Sequence, residues 1–484
     1  MTCSSSSSQG SDSEIRVIPK NQIFNILFIV VALISISLRV GLVWYNRQSN
    51  DNHMQVIQLM LASARLPQKQ DCWECFQPKM FHYTVTKVLQ GLGLTGLSIS
   101  GLNLVAEIIN LLAGLVTLAI AWAFIARLPV ENKWLKLLAF GLVALNPVLI
   151  GINSQATNDT FAILFSTLAI YCTYIFLQRK TIIPFILAIL FSALGIASKT
   201  NVWVTAIAIV IALFIQAFAS PGRTMKAAFF AITFLISVPV VSVINPLTQY
   251  VANYQTYGKP VLMNINTLPL PPLVGITKYN DRGGILSIKD GFFSFKFINL
   301  LEHPRIEYDH DNYPPNRTSF WAMLYGSANS TSFANYPPSW STTGTQGFLL
   351  TQGIFSLAIL PVLLLLMGGL TETLNLVRGI FKRDSVVLQN TDYGLFVLTF
   401  IGYIAFTIIY ALLYQTFLVM KAIFIFPALL AFPVLFLRTT EPAYAFLSKR
   451  VKWSIHFLNV DMVALMVLFI MEIITLIARI RLYH

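Results

Sequence analysis

Charged residues are scarce in this chain. Asp, Glu, Lys and Arg make up 11% of its 484 residues, whereas an ordinary soluble domain has about 25%. Hydrophobic residues make up 56%. This composition leaves too few polar groups to cover a water-soluble globule, which argues against a soluble enzyme or binding domain. The lipid bilayer is therefore predicted to be the solvent for much of the chain.

Acidic residues are the scarcer charged groups, with 20 Asp and Glu against 33 Lys and Arg and a formal net charge of +13. A basic balance can indicate binding to nucleic acid. Here, however, many basic residues stand in short loops between apolar runs, which is the positive-inside pattern of membrane proteins. The sequence therefore predicts no nucleic-acid partner.

Cysteine is also rare, and of the four residues only Cys72 and Cys75 form a spacing. A structural zinc site needs four ligands. No second cysteine pair exists, and His82 is one candidate third ligand without an evident fourth. A local disulfide on an oxidising face is favoured over zinc, and two free thiols remain an alternative. The sequence predicts no metal site and requires no cofactor, although a divalent metal is left open.

A cleavable signal peptide is not recognisable at the start of the chain. Residues 1–22 are Ser-rich and polar, without a basic region followed by a short apolar core and a cleavage site. They are predicted to form a disordered cytoplasmic tail. The apolar run at 23–44 is long enough to span a bilayer and is predicted to remain as the first helix.

Apolar runs that are long enough, or nearly long enough, to cross a bilayer recur along the chain. They predict an all-α polytopic membrane protein with about eleven transmembrane helices within residues 23–484. The runs are 23–44, 102–125, 135–152, 161–177, 182–197, 202–219, 227–244, 348–370, 393–414, 422–437 and 458–478.

Two long segments, 45–101 and 245–347, interrupt the apolar runs. With the tail in the cytoplasm, the short loops dense in Lys and Arg are also cytoplasmic, as the positive-inside rule requires. Both long segments then lie on the opposite face, towards the outside, periplasm or lumen, with the protein predicted to reside in the plasma (inner) membrane. Long connections of this kind are usually functional.

The first outer segment carries acidic and basic residues close to the membrane surface. Asp51 directly follows the first helix, and a carboxylate at the boundary of lipid and water is partly desolvated, which can raise its pKa towards that of a useful general base. Lys79 and His82 can pair with an anionic lipid head group. Single polar residues of this kind commonly cap helices, but the combination favours a functional site.

Several short motifs, taken in their order along the chain, resemble the GT-C superfamily of polyprenyl-phosphate-sugar-dependent glycosyltransferases, close to bacterial relatives of protein O-mannosyltransferases and of the lipid A aminoarabinose transferase. The motifs are Asp51-Asn52, Gln77-Pro78-Lys79-Met80-Phe81-His82-Tyr83, Asn146-Pro147, Asn158-Asp159, Gly195 to Lys199 and Lys421 to Pro427. The superfamily often has an Asp-Glu pair at the first motif and Q/H-P-P-L-Y-Y at the second. Asn52 and Lys79 are therefore departures from its pattern.

The resemblance implies transfer of a sugar from a polyprenyl-phosphate donor among the membrane lipids to a protein, lipid or polysaccharide acceptor, with inversion at the anomeric carbon. It implies Asp51 as the catalytic base, with Glu74 as the second choice for acid–base chemistry or acceptor contact. The candidates for binding the donor phosphate are Lys79, His82, Lys199, Arg282 and Lys421. Further candidates are His53, Gln77, Asp159 and Arg317.

Structural explanations compete with several of these roles. Lysines at helix ends commonly snorkel to the interface, and the helix dipole alone favours Asp159 at the start of a helix. The aromatics and amides of the segment 245–347 suit stacking on sugars, which predicts an acceptor-side cap, but they equally suit a small folded lid.

Two other classes of function remain open. A transporter or lipid flippase is the runner-up, because such proteins carry ionisable residues in mid-membrane and often contain repeats. The predicted helices contain few such residues, namely Arg39, Glu107 and Glu472, and no internal repeat is visible. A non-catalytic membrane scaffold is the third class, and it would need neither Asp51 nor the basic cluster.

Overall fold

The computed structural model describes residues 20–47, 52–63, 65–219, 224–262, 288–304, 318–333, 340, 345–414, 419–450 and 452–483. Within these ranges the chain is helical and contains no strand. The helices are α1 (Lys20–Tyr45), α2 (His53–Ala62), α3 (Met80–Gly91), α4 (Ile99–Arg127), α5 (Lys133–Ala144), α6 (Pro147–Asn153), α7 (Asp159–Arg179), α8 (Ile182–Ser198), α9 (Trp203–Ala219), α10 (Thr224–Ile244), α11 (Tyr250–Tyr257), α12 (Ile288–Phe292), α13 (Phe297–Glu302), α14 (Phe320–Asn329), α15 (Thr345–Lys382), α16 (Ser385–Asn390), α17 (Leu395–Tyr414), α18 (Ala431–Arg450) and α19 (Lys452–Tyr483).

Eight helices of the described ranges are long and apolar enough to cross a membrane, or up to nine if the bent pair α5 and α6 counts as one span. The all-α polytopic class predicted from the sequence is confirmed, and the chain is a multi-pass membrane protein. The predicted count of about eleven spans is not confirmed. The extra predicted spans include α8, which has 17 residues and would be about 26 Å long, and the run at 422–437.

Interruptions of the helices inside apolar runs account for much of the difference in span count. Asn146 ends one run, because its side-chain oxygen accepts hydrogen bonds from the amides of Val148 and Leu149, each at 3.0 Å. Pro147 then occupies the first turn of α6, a position that proline favours. The axes of α5 and α6 meet at 49°. The run at 422–437 begins with two 3-10 turns before α18 starts at Ala431.

The two long segments between the apolar runs pack against each other. The amide of Lys79 donates to the carbonyl of Leu247 at 2.7 Å, and the side chain of Gln249 donates to the carbonyl of Pro67 at 2.8 Å. The Lys69 ammonium also lies 5.0 Å from the ring centroid of Tyr257. These contacts put residues 67–79 of the first segment and residues 247–257 of the second side by side at one face of the helical bundle. That this face points to the outside or lumen stays a prediction, and we call it the outer face.

Three ionisable residues noted in the apolar runs, Arg39, Glu107 and Glu472, are hydrogen-bonded to other parts of the protein. Arg39 donates to the Asn153 side chain at 3.1 Å. Glu107 accepts from Asn46 at 2.6 Å. Glu472 accepts from the Ser330 hydroxyl at 2.9 Å, which ties α19 to the second outer segment. Each of these groups therefore has a structural role, because unpaired polar groups are costly in the bilayer.

Candidate active site

A four-residue disulfide ring shapes the first outer segment. Cys72 and Cys75 are bonded, with their Cα atoms 5.0 Å apart, so the disulfide favoured from the sequence is confirmed. Glu74 is one of the four residues of this ring, where it lies on a 3-10 turn and is 4% exposed. In the described ranges no group of three or more His, Cys, Asp or Glu side chains could hold a metal ion.

A chain of hydrogen bonds leads from Glu74 into the helical bundle. The Gln77 side-chain NH2 group donates to the Glu74 carboxylate, and the side-chain oxygen Oε1 of Gln77 accepts from the side-chain amide of Asn158. The Asn158 amide also donates to the carbonyl of Ser198 at 3.2 Å. The outer segment is thereby connected to the start of α7 and the end of α8.

An ion pair lies directly beside this chain. The Lys199 ammonium donates to the carboxylate of Asp159, and the other carboxylate oxygen accepts from the Thr157 hydroxyl at 3.0 Å. The Lys199 side chain is 17% exposed and that of Asp159 6%. Burial of this kind makes the loss of one partner costly, because the remaining charge is left without compensation.

The helix ends explain why these residues meet. α7 begins at Asp159, where the helix dipole favours a carboxylate. α8 ends at Ser198, and Lys199 continues in an extended conformation before the 3-10 turn at Thr200–Val202. Because α7 and α8 run antiparallel side by side, the first residue of one stands beside the residue that follows the other. The Asn158-Asp159 and Gly195-to-Lys199 motifs therefore form one site.

The 3-10 turns that follow Lys421 bring a further segment to this site. The ring centroid of Phe424 lies 5.3 Å from the Lys199 ammonium, and the amide of Ala422 donates to the Ser327 hydroxyl at 2.9 Å. Lys421 directly precedes the first turn and is partly buried. Lys421 thus lies three residues before the aromatic ring that contacts Lys199.

An apolar groove of about 400 Å³ begins beside the same turns. Ile425 and Phe426 line it immediately after Phe424, while Phe295 and Trp321 of the second outer segment cover part of it. Most of the other lining residues are apolar, and they belong to α5, α6, α14, α15, α17, α18 and α19. One short segment therefore connects the ion-pair site with a groove that suits an extended hydrocarbon chain.

Lys79 lies under the disulfide turn rather than on the surface. Its side chain is 0% exposed, and its amine donates to the carbonyl of Cys75 at 2.8 Å. Burial lowers the pKa of the Lys79 amine to about 7, although the charges of Glu74 and Asp71 act in the opposite direction. The predicted contact with a donor phosphate would require this amine to be uncovered. In the structure it supports the turn that carries Glu74.

The burial of Lys79 predicts a pH dependence of stability. Its pKa in the folded protein, about 7, is below the ordinary value of 10.5, so the folded state holds fewer protons than the unfolded state between these values. The contribution of Lys79 to the free energy of unfolding should therefore rise as the pH rises through this window. We expect the Tm of the wild type minus that of Lys79→Met to increase from about pH 7 to about pH 10.

Thermal unfolding in nanodiscs across this pH window measures that difference. Lys87→Met is the matched control, because the Lys87 amine is on the exposed side of the same outer segment and donates to Gln90 at 3.1 Å. A difference for Lys79→Met that does not change with pH would contradict a buried amine with a lowered pKa.

The two predicted histidines form a buried pair. The Nδ1 atom of His53 and the Nε2 atom of His82 are 3.1 Å apart, and the side chains are 1% and 0% exposed. Burial, followed by the nearby charges of His53 and Lys79, lowers the pKa of His82 well below 6.5. The pair packs α2 against α3, and His82 would have to be uncovered to contact a lipid head group.

Glu74, Gln77, Asp159 and Lys199 are therefore brought together, and Lys421 lies three residues before Phe424, whose ring contacts Lys199. Three other predicted residues, Asp51, Arg282 and Arg317, lie outside the described residues. Sequence reasoning gave no individual role to Asn158, Thr157 and Ser198, which connect the candidates. The available signal was the Asn158-Asp159 dipeptide, a pair of polar residues at the start of an apolar run.

The fold and site define a class, that of multi-pass helical membrane proteins with a polar site at the outer ends of their helices. Within it, residues 95–244 match the family described as dolichyl-phosphate-mannose-protein mannosyltransferase. This match confirms the predicted resemblance to the GT-C superfamily over this part of the chain, which contains Asn158, Asp159 and Lys199. No curated protein sequence matches the chain.

Two solved structures are similar to the chain at low identity. One is ArnT from Cupriavidus metallidurans bound to undecaprenyl phosphate, with 14% identity, a TM-score of 0.37, and coverage of 87% of this chain and 78% of that chain. The other is ArnT from the same organism in the apo state, with 13% identity, a TM-score of 0.36 and the same coverage of 87% and 78%.

Proposed function

We propose that this protein is a membrane glycosyltransferase that moves a sugar from a polyprenyl-phosphate donor to a protein, lipid or glycan acceptor at the outer face. The observation that carries the proposal is the buried Asp159–Lys199 pair beside the hydrogen-bonded chain from Glu74 to Asn158. Such a site offers a cation for a leaving phosphate and carboxylates for proton transfer within one region.

The polyprenyl chain and the phosphate of the donor each have suitable surroundings in the protein. The apolar groove next to Ile425 and Phe426 suits the polyprenyl chain, and Lys199, with Lys421 as a second candidate, suits its phosphate. The family matched at residues 95–244 is named for a dolichyl-phosphate-linked sugar, which agrees with this assignment. Arg282 stays a third candidate for the phosphate.

The reaction is a single displacement at the anomeric carbon. An acceptor hydroxyl or amine attacks from the side opposite the phosphate, a new bond forms from the acceptor atom to the sugar, and the bond between the sugar and the phosphate oxygen breaks. The acceptor proton passes to a carboxylate, for which Asp51 is the first candidate and Glu74 the second. Polyprenyl phosphate departs with its electron pair, stabilised by the lysine cations.

A donor panel tests the proposal. The purified protein in nanodiscs is incubated with polyprenyl phosphates that carry different radiolabelled sugars, with and without membrane-extract acceptors. Release of labelled sugar from at least one donor, to water or to acceptors, is the expected result. If the folded protein leaves every donor intact while the panel covers hexosyl and pentosyl donors, the proposal is contradicted.

We expect the disulfide ring to position Glu74 for the reaction, and removal of the disulfide tests this role. Replacing both cysteines, Cys72→Ser with Cys75→Ser, should cost about 2 kcal/mol or less in the free energy of unfolding, because the closed loop is short. Transfer should fall more, by about 10- to 100-fold, since small displacements of reacting groups are costly. Initial rates and unfolding measurements on the same preparation check both values. Cys172→Ala, which leaves the disulfide intact, is the control, and an unchanged transfer rate in the double variant would exclude this role for the ring.

A further inference from the structure

One side of α4 carries a row of buried polar residues in the membrane part of the protein. Asn103, Glu107 and Asn110 are spaced four and three residues apart and are at most 2% exposed. This spacing puts them on one helix face. Gly114 continues the row and lies against Asn153, whose side chain an added Cβ atom would meet at 2.4 Å. The end of α6 is therefore held close to α4.

The row faces an irregular stretch of backbone, residues 154–157, between the end of α6 and the start of α7. The side-chain amide of Asn110 donates to the carbonyls of Gln155 at 2.6 Å and Thr157 at 2.7 Å. Asn46, which is also bonded to Glu107, donates to the carbonyl of Ser154 at 3.0 Å. The side chains of Asn110 in α4 and of Asn46, directly after α1, thus bind three of the four carbonyls in this stretch.

Satisfying buried backbone groups is a structural requirement in any membrane protein. The location of this stretch gives it a second consequence. Thr157 donates its hydroxyl to Asp159, and Asn158 bonds to Gln77 and Ser198. Thr157 therefore links the two groups. Its backbone carbonyl accepts from Asn110, and its hydroxyl donates to Asp159, the carboxylate that pairs with Lys199.

We propose that Asn110, about three turns into α4, is a positioning residue that holds the Asp159–Lys199 pair in place through the backbone of residues 155–157. The inference rests on the proposed function for its catalytic consequence, but the positioning itself can be measured without any sugar donor. Removing the Asn110 donors frees the turn, and Asp159 then pairs with Lys199 for a smaller fraction of the time.

Amine labelling with a water-soluble acylating reagent, followed by mass spectrometry, measures the release of Lys199. In Asn110→Leu we expect labelling of Lys199 to accelerate by at least roughly threefold to tenfold, the range for losing one of the two hydrogen bonds that the substitution removes. Lys136, on the opposite face, serves as the internal reference. Thr117→Val is the matched control, because it removes a buried hydroxyl of the same helix that bonds to the carbonyl of Ala113 within α4. If Asn110→Leu does not give a monodisperse protein, Asn110→Ala replaces it.

A double-mutant cycle gives the catalytic readout. Asn110→Leu alone should lower kcat for transfer, in the same direction as the loss expected for Lys199→Met. Added to Lys199→Met, it should change the rate by less than about twofold, because both act on the same pair. Unchanged labelling of Lys199, or two effects that multiply, would overturn the inference. Increased labelling in a protein that releases no sugar from any donor would instead contradict the proposed function while supporting the positioning role.

Discussion

Lys199→Met should lower sugar transfer by roughly 10²- to 10³-fold, the cost of removing one preorganised group that stabilises charge in the transition state. Lys199 is the cation of the buried pair with Asp159 and lies against the ring of Phe424 beside the groove. Its loss removes stabilisation from the departing phosphate. Initial rates at several donor concentrations separate this loss in kcat from weaker donor binding.

The same substitution also leaves the Asp159 carboxylate buried without a counter-charge, which is destabilising. The double variant Lys199→Met with Asp159→Asn removes both charges and should recover the folded protein without recovering transfer. Lys136→Met is the control for a lysine at the opposite face, where the amine donates to the Ala126 carbonyl at 3.0 Å. If the double variant transfers sugar at the wild-type rate, Lys199 has no role in the reaction.

Asp51→Asn should lower transfer by about 10²- to 10⁴-fold, the range for loss of a general base. The substitution keeps the size of the side chain and removes its ability to take the acceptor proton. Donor binding should remain, because the proposed phosphate contacts are separate lysines. The measurements are the transfer rate and the retention of labelled donor by the variant in nanodiscs.

Asp290→Asn is the control for this prediction, since Asp290 is an outer-segment carboxylate that pairs with Lys296 at 2.9 Å and is 38% exposed. Full transfer by Asp51→Asn would move the base elsewhere, and Glu74→Gln would then be the next variant to measure. Loss of transfer in the control as well would show that the assay responds to general disturbance of the outer segments.

The sequence was sufficient for the class of fold because membrane spans depend on composition. Long apolar runs predicted α1, α4, α7 and α10 with their ends close to those observed. The breaks within runs were harder to predict. The bend between α5 and α6 depends on Asn146 capping α6, and an Asn-Pro dipeptide in an apolar run does not reveal the direction of the next helix.

The candidate site was predicted in parts. Gln77, Asp159 and Lys199 were identified separately, and their order along the chain gave no distances. Their meeting depends on the antiparallel packing of α7 and α8 and on the contact between Gln77 and Asn158. Lys79 is the opposite case, a candidate that the sequence identified but whose burial it did not predict. The sequence predicts an accessible lysine in a loop. In the structure, the disulfide turn and the contact with Leu247 bury Lys79, and both of these contacts depend on the tertiary fold.

The most direct test of the central claim is whether the donor is cleaved. In proteoliposomes loaded with a sugar-labelled, prenyl-labelled donor that the protein accepts, both labels are followed over time together with the leaflet in which the donor resides. The transferase account predicts that one polyprenyl phosphate is released for each sugar transferred, and that Lys199→Met slows both equally. Movement of the intact donor between leaflets without cleavage would contradict it and identify a flippase.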